Sequence, residues 1–507
     1  MRYYIQFIYF ILLNLLNISS TYSQTKELSY RTEIFGSISS GENTPFWMLY
    51  HNWGMVPLEA NNFYLRGSVF YNQKIDKDWS FNAGLDLAGS SPHSYDNNFW
   101  IQQAYGEVNW KSLRLNIGSK EDYTSLLDEY LSSGDFDLSN HARPIPEIKI
   151  SVPDFILIPH TKGNMYIKGD FAVGYYLDGD YLEKKAKPAN QSYEKDILSH
   201  HKSIYFRFGN IKTTNKLQFT VGLDHQVQWG GTLYQYVWLD GKMQYVVQKQ
   251  PHGLDDFFRI VFAQEGSSES SDSDNAYVAG SQVGSYLLML DYKLNDHQLL
   301  SLYNQHFFDD GSGMGFHNYR DMLTGIRYKT KQKKLVSGAL LEYIYTKQQS
   351  GPIHFNMMMD DAHKNIRNKG TGNDNYYNNV DYVQGRSHFG RTMGTPLFLS
   401  PEYNEDGRVY FKSSRIISFH TGIEGYLTSQ LQYRLLATTG QSWGRYYVPY
   451  TSVKEGFASN LDIKYLPSKI EGLDIKLSIG FNTGKFFNKD SFGAGITVSK
   501  KGLIFNK

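Results

Sequence analysis

The stretch SNHARPIPEIKISVPDF, Ser139 to Phe155, decides how the chain is counted. Prolines stand at 144 and 146, a period-2 run follows, and Pro153 interrupts it. Successive strand side chains point to opposite faces. The run therefore sets Ile148, Ile150 and Val152 against Lys149 and Ser151. Taken as a loop, the stretch would make Lys120 to Gly163 one excursion, and the next loop, Asp178 to Ser203, would leave from the wrong rim of a closed sheet. Taken as a strand over Glu147 to Leu157, with HTKGN (His160 to Asn164) as its turn, it restores strict up-and-down order. Pro144 and Pro146 then hold an extended approach where no ladder N–H is needed, and Pro153 requires a bulge or an unpaired site.

The neighbouring runs alternate in the same way. Phe63, Leu65, Val69 and Tyr71 oppose Arg66, Ser68 and Asn72; Trp79, Phe81, Ala83, Leu85 and Leu87 oppose Ser80, Asn82, Gly84 and Asp86. Met165 to Leu177, Leu217 to Leu223 and Ile475 to Phe481 repeat the pattern, and Leu28 to Ile38 supplies a first strand. Each run is about the 9–11 residues that cross a bilayer as a tilted strand. A soluble sandwich also alternates. Here the polar rows carry charges such as Asp86, Arg114, Asp170, Asp224, Glu342, Arg434 and Lys476, while the apolar rows hold Tyr, Phe and Leu. That is the polarity of a membrane barrel with a wet interior.

The connections agree. KIDKD (74–78), NIKTTNK (210–216), KTKQKK (329–334) and LPSKIEG (466–472) are short and polar, whereas Gln226 to Gly284, Lys347 to Ser413 and Thr438 to Gly456 are long. The expected fold is all-β: a transmembrane antiparallel barrel of about 18 strands with both termini on the short-turn rim. Such a cylinder is wide enough for an aqueous lumen unless filled. The loops near 226–284 and 347–413, rich in aromatics and Met, are expected to form plugs or caps. A short helix is expected over Ser119 to Ser133, with Tyr123, Leu126, Leu127, Tyr130 and Leu131 on one face and Gly134 as its stop. The last strand is expected to close around Phe492 to Ser499, with Phe505 trailing.

Residues 1–23 read as a cleaved export signal: Arg2, the apolar run Ile5 to Leu16, then small residues Thr21 and Ser23. Residues 24–507 form the barrel. A net charge of +1 gives no footprint for nucleic acid, and the absence of Cys excludes disulfides and thiolate metal sites. No G-x-S-x-G, H-E-x-x-H or phosphate-binding loop is present. His200 and His201 are adjacent and so point apart on a strand. EGSSESSDSD (265–274) lacks the glycine and distal Glu of an EF-hand and reads as a solvated acidic tip.

Candidate binding residues are polar groups beside aromatic rings, because carboxylates accept from sugar hydroxyls and rings stack on apolar sugar faces. Asp309 and Asp310 in FFDDGSG fit this, as do Trp229, Tyr236 and Trp238 in WGGTLYQYVW, with Trp443 in the third long loop. In the longest loop, His354, Arg386, His388 and Arg391 are candidates; the arginines would pair with acidic sugars or neutralise Asp360, Asp361 or wall carboxylates. WGG itself reads most simply as a strand-end aromatic followed by a bend.

SNHARPIPEIKISVPDF, GLDHQVQWGG, FFDDGSGMGFHNYRDMLTGI and GTPLFLSPEYNEDG, in this order and spacing, resemble the Bacteroidetes branch of the capsule assembly protein Wzi family. The resemblance spans nearly the whole mature chain. It implies an 18-stranded outer-membrane barrel occluded by its loops, acting without catalysis or cofactor as a lectin that attaches capsular polysaccharide or exopolysaccharide to the cell surface. The partners expected are that polymer and outer-membrane lipid, with the protein a monomer and no resident metal. TPFWMLYHNWGMVP (44–57) stands after the first strand, and no helical bundle of the enterobacterial branch is seen. The competing expectation is a porin or channel for small solutes.

Overall fold

The computed structural model describes residues 25–507 except 93–94, 96, 211–215, 268, 272–273, 275–277, 310, 352–353, 361–364 and 372–373; of 354–360 and 365–371 it describes the backbone path. The export signal over 1–23 lies outside the described residues. Eighteen antiparallel strands make one sheet. They are β1 (Thr25–Ser40), β2 (Asn62–Lys74), β3 (Trp79–Ser91), β4 (Phe99–Trp110), β5 (Leu113–Ser119), β6 (Pro146–Leu157), β7 (Met165–Tyr175), β8 (Leu198–Phe208) and β9 (Leu217–Trp229). The second half is β10 (Ser281–Asn295), β11 (Gln298–Phe308), β12 (Met322–Thr330), β13 (Gly338–Tyr345), β14 (Ile416–Tyr426), β15 (Leu431–Gly444), β16 (Pro449–Tyr465), β17 (Leu473–Thr483) and β18 (Ser491–Asn506). β1 pairs with both β2 and β18, which closes the cylinder and leaves no free edge.

The pivotal stretch forms β6. It pairs with β5 from Pro146 to Ser151, and its register with β7 shifts between Val152 and Ile156, around Pro153. The bulge takes the residue that cannot donate to the ladder. Period-2 rows sort as the sequence suggests. Along β2, Phe63, Leu65 and Val69 are exposed while Tyr64, Arg66 and Ser68 are buried. Ile34, Leu85, Ile148, Ile150, Phe219, Leu288 and Phe419 extend the outward apolar wall, and Trp79 and Trp110 meet at 5.9 Å beside the short turns. Inside lie Asp86, Glu107, Lys149, Asp224, Glu342 and Asp462.

Three expectations are corrected. The helix over Ser119–Ser133 does not form; residues 120–145 are irregular. Its N–H groups are captured by side chains instead: Glu121 by Gln103 Oε1 at 2.9 Å, Tyr130 and Leu131 by Asp128 Oδ1, Ser133 by Glu342 Oε2 at 2.8 Å, and Phe136 by Gln305 Oε1 at 3.1 Å. Such local and wall-borne acceptors compete with an i→i−4 ladder. The supposed loop Thr438 to Gly456 belongs mostly to β15 and β16, leaving residues 445–448 as the connection. Phe505 does not trail; it pairs with Leu28, because β1 offers a full-length partner.

Among the described residues, three segments enter the lumen. In residues 41–61 the short helix α1 (Phe46–Leu49) is wholly buried, with Trp47 Nε1 donating to Thr438 Oγ1 at 2.9 Å and Asn482 Oδ1 accepting from Phe46 N at 2.9 Å. Residues 120–145 are pinned through Glu121 to Arg66 at 2.6 Å, Asp122 to Lys149 at 2.8 Å and Lys120 to Glu107. Residues 374–415 complete the filling. Their rings pack in the centre, with Tyr377 4.7 Å from Phe398 and 5.2 Å from Phe411, and Phe136 5.3 Å from the wall residue Phe307.

The 226–284 excursion behaves differently from 347–413. It folds as a hairpin, Thr232–Leu239 against Lys242–Lys249, and a helix. The chain first passes α2 (Gly179–Ala186); the helix of the excursion is α3 (Leu254–Val261). Gly230 and Gly231 make the bend after Trp229 with φ of +64° and +84°, a conformation that favours glycine. α3 lies against the outside of the wall rather than in the lumen, because Phe257 and Ile260 meet the outward residues Phe171, Val227 and Trp229.

Candidate functional site

The site divides into an interior held by buried polar pairs and an extracellular rim that presents rings and cations. Inside, Arg391 sits wholly buried. Its Nε donates to both Glu402 oxygens at 3.1 and 3.0 Å, and its Nη2 to Val56 O at 2.6 Å. Arg386 donates to Asp137 O at 2.9 Å and to Gln226 Oε1. His388 is buried, with Nδ1 2.8 Å from Arg143 O. These three candidates from the longest loop are thus consumed by internal partners. Glu402 neutralises Arg391; Asp361 and the Asp360 side chain lie outside the described residues.

Around them, Gln305 Nε2 donates to Asp135 Oδ1 at 2.8 Å, and Ser285 donates to Asp137. Burial, then the charges of Asp224 and Asp135, push the Asp137 carboxyl well above its usual range. Burial, reinforced by Arg434 and His420, holds His51 down to about 3, and burial holds His388 down to about 3. His51 N donates to His141 Nδ1 at 3.2 Å, so this corner is built from neutral imidazoles.

On the rim, Trp443 is half-buried with the Lys347 ammonium 3.9 Å from its ring centre. Arg445 stands 4.5 Å over Tyr410, Arg415 4.6 Å over Tyr446, and Lys454 3.8 Å over Tyr450. None of these partners except Trp443 was singled out from sequence, although the run QSWGRYYVPY (441–450) is dense in rings. On the outer hairpin, Tyr236 faces Tyr245 at 5.0 Å and Trp238 pairs with Met243; Trp238 is 68% exposed. Tyr193 stacks on Tyr234 at 5.0 Å and bonds Tyr245 through hydroxyls 3.0 Å apart.

Trp229 is buried against Phe257 on the outer wall, which fits the strand-end reading. Asp309 is half-buried after β11; Asp310 and the His354 side chain lie outside the described residues. His200 points outward to Phe171 at 4.6 Å, whereas His201 bridges Asp170 and Asp224 inside at 3.0 and 2.9 Å. The acidic stretch 265–274 is not a simple solvated tip in its described part: Asp274 is buried and accepts from Gly280 N at 2.9 Å. No group of three or more His, Asp or Glu suited to a metal occurs among the described residues.

A closed barrel with apolar outer rows, an ionic interior and long loops on one rim defines the outer-membrane β-barrel class. No family model and no curated protein matches the chain. Among solved structures, it is similar to Wzi of Escherichia coli, an outer membrane protein involved in group 1 capsule assembly and a carbohydrate-binding β-barrel, with TM-score 0.54 and 12% identity over 92% of this chain and 83% of that one. It is also similar to OprD of Pseudomonas aeruginosa, with TM-score 0.45 and 10% identity over 95% of this chain and 96% of that one. At these identities the shared property is the barrel.

Proposed function

We propose that this chain is a non-catalytic outer-membrane lectin that attaches capsular polysaccharide or exopolysaccharide to the cell surface. One observation carries the reading. The lumen holds residues 41–61, 120–145 and 374–415, bonded to the wall through buried pairs such as Arg391–Glu402, while rings and cations gather on the outer rim. A solute channel needs a continuous polar path; the rings and paired charges among the described lumen residues support the attachment reading over it. A long polymer needs no deep cleft, since weak contacts repeated along it add through effective concentration. Wzi of Escherichia coli, a carbohydrate-binding barrel, lends the reading support by fold.

The test is deletion of the gene followed by measurement of cell-attached and shed polysaccharide. The reading expects polymer to move from the cell fraction to the medium and to return on complementation. Unchanged retention would defeat it.

A further inference from the structure

The rim holds a pocket of about 190 Å³ lined by Ser413, Ser442, Tyr450, Lys454, Lys485 and Asn488, with Leu399 and Phe486 as its apolar side. Ser413 and Ser442 share a hydrogen bond of 2.6 Å, and Tyr450 is fixed through its hydroxyl to Lys412 O at 3.1 Å. The groups whose charge acts most on Lys454 are the ammonium ions of Lys412 and Lys485. Among the described residues, no carboxylate lines the pocket. Acids close to these residues are engaged elsewhere: Asp490 accepts from Gly484 N at 2.7 Å and Thr483 Oγ1 at 3.0 Å, Glu455 accepts from Gln441 at 2.7 Å, Asp406 pairs with Lys412 at 2.9 Å, and Glu405 pairs with Lys489. Like charges converging on one hollow attract an anion.

We propose that this pocket binds an anionic sugar unit of the surface polymer, of the uronic-acid type. The ammonium groups of Lys454 and Lys485 would meet the carboxylate, the Tyr450 ring the apolar sugar face, and Asn488 and the serines the hydroxyls. Whole-ligand pockets run to about 300–1,000 Å³, so this one suits a single projecting unit of a chain. The proposal rests on the attachment reading and adds the charge class of the polymer.

The test uses the full chain in nanodiscs with two probes, polygalacturonate and neutral dextran. Polygalacturonate should bind, weakening steeply with added salt, as expected for exposed charges. Lys454→Gln with Lys485→Gln should weaken it at least tenfold without altering dextran binding, and Lys454→Arg should retain it. Unchanged polygalacturonate affinity in the double variant would overturn the proposal. Wild-type binding of dextran but not polygalacturonate would overturn it and leave the attachment reading standing; binding of neither polymer would count against both.

A separate observation concerns α3. At about 100° per residue its side chains divide into three sectors. Phe257 and Ile260 face the wall; Asp255, Asp256 and Arg259 form a polar sector; Leu254, Phe258 and Phe262 form a third stripe that is 79%, 56% and 68% exposed. Beneath the helix lie outward polar groups, His200, Lys202 and His225, and Lys202 donates to Val261 O at the helix C-terminus. A bare barrel wall would present those groups to lipid. The geometry points to α3 as an in-plane anchor whose third stripe enters the outer leaflet, continuous with the apolar wall it covers.

The chain has no cysteine, so single-cysteine variants report single sites. Leu254→Cys and Phe258→Cys, labelled with bimane in vesicles of brominated phospholipid, should be quenched about as strongly as the wall position Phe419→Cys. Lys242→Cys on the hairpin should not be. An unquenched label open to a water-soluble thiol reagent would overturn the anchor in favour of a solvent face. An unquenched label that cross-links two chains would overturn it in favour of self-association.

Discussion

The 374–415 and 232–262 segments are both long excursions rich in rings, yet the wall treats them oppositely. In the first, Tyr377, Phe398 and Phe411 pack together inside the cylinder, and each buried charge has a partner within reach, as Arg391 has Glu402. In the second, Phe257 and Ile260 dock on the outer face, and Trp238, Met243 and Phe258 remain exposed. Ring content therefore does not say where a loop goes. What decides is the wall row it meets: Gln226 and Glu342 on the inside offer polar partners, while Val227 and Trp229 on the outside offer apolar ones.

The sharpest way to break this contrast is to strip one partner from a buried ion pair. Glu402→Ala leaves Arg391 charged and buried, which costs about 3–5 kcal/mol. Limited proteolysis should then cut within 376–414 while 232–249 is cut as in wild type. Replacing both partners, Arg391→Met with Glu402→Leu, should restore most of the protection; equal cleavage in single and double variants would show that the pair does not hold the segment.

A smaller effect comes from Glu342, which accepts from Ser132 Oγ at 2.7 Å, Ser133 N at 2.8 Å and Tyr303 Oη at 2.7 Å. Glu342→Ala should cost about 1–3 kcal/mol, chiefly for the Ser133 N–H left unpaired in the interior, since the freed hydroxyls can rotate. The readout is faster hydrogen exchange at residues 131–136, with no change in the hairpin.

Acidity should move the two regions in opposite directions. His51 and His388 are held down to about 3 by burial. Their neutral forms suit the folded state, so the stability they confer is present above an ordinary histidine value of about 6.5 and is lost as pH falls toward 3. Asp274, in the outer excursion, is pushed up to about 6 by burial and by Asp381. Its protonated form suits the folded state, so that contribution is present below the ordinary value of 3.8 and is lost as pH rises through about 6. Hydrogen exchange, corrected for intrinsic rates, should show the 385–400 amides loosening at pH 4 and the Gly266 amide, which donates to Asp274 O at 2.8 Å, loosening at pH 7. The same sign in both regions would contradict the assignment.

The smallest expected change is at Trp238. Its ring is exposed, so Trp238→Ala should alter stability by no more than about 0.5 kcal/mol while lowering affinity for surface polymer. A large stability loss would mean that the hairpin face is covered.

How much of this was readable in the chain follows from the range of each interaction. β6, its turn and the bulge at Pro153 were legible because alternation and proline chemistry are local. The path of 119–134 was not: its helical periodicity was overridden by Gln103, Glu342 and Gln305, side chains remote in sequence. The same remoteness hid Glu402 as the partner of Arg391 and the outer-wall seat of α3. The rim cations were visible only as scattered residues, since Arg445 meets a ring remote in sequence, Tyr410.

The central claim is that this cylinder is filled by its own chain. Single-channel recording in planar bilayers at neutral pH tests it most directly. The account predicts no stable open steps from the wild-type protein and their appearance once residues 376–409 are deleted. Stable open steps from the wild type would contradict it.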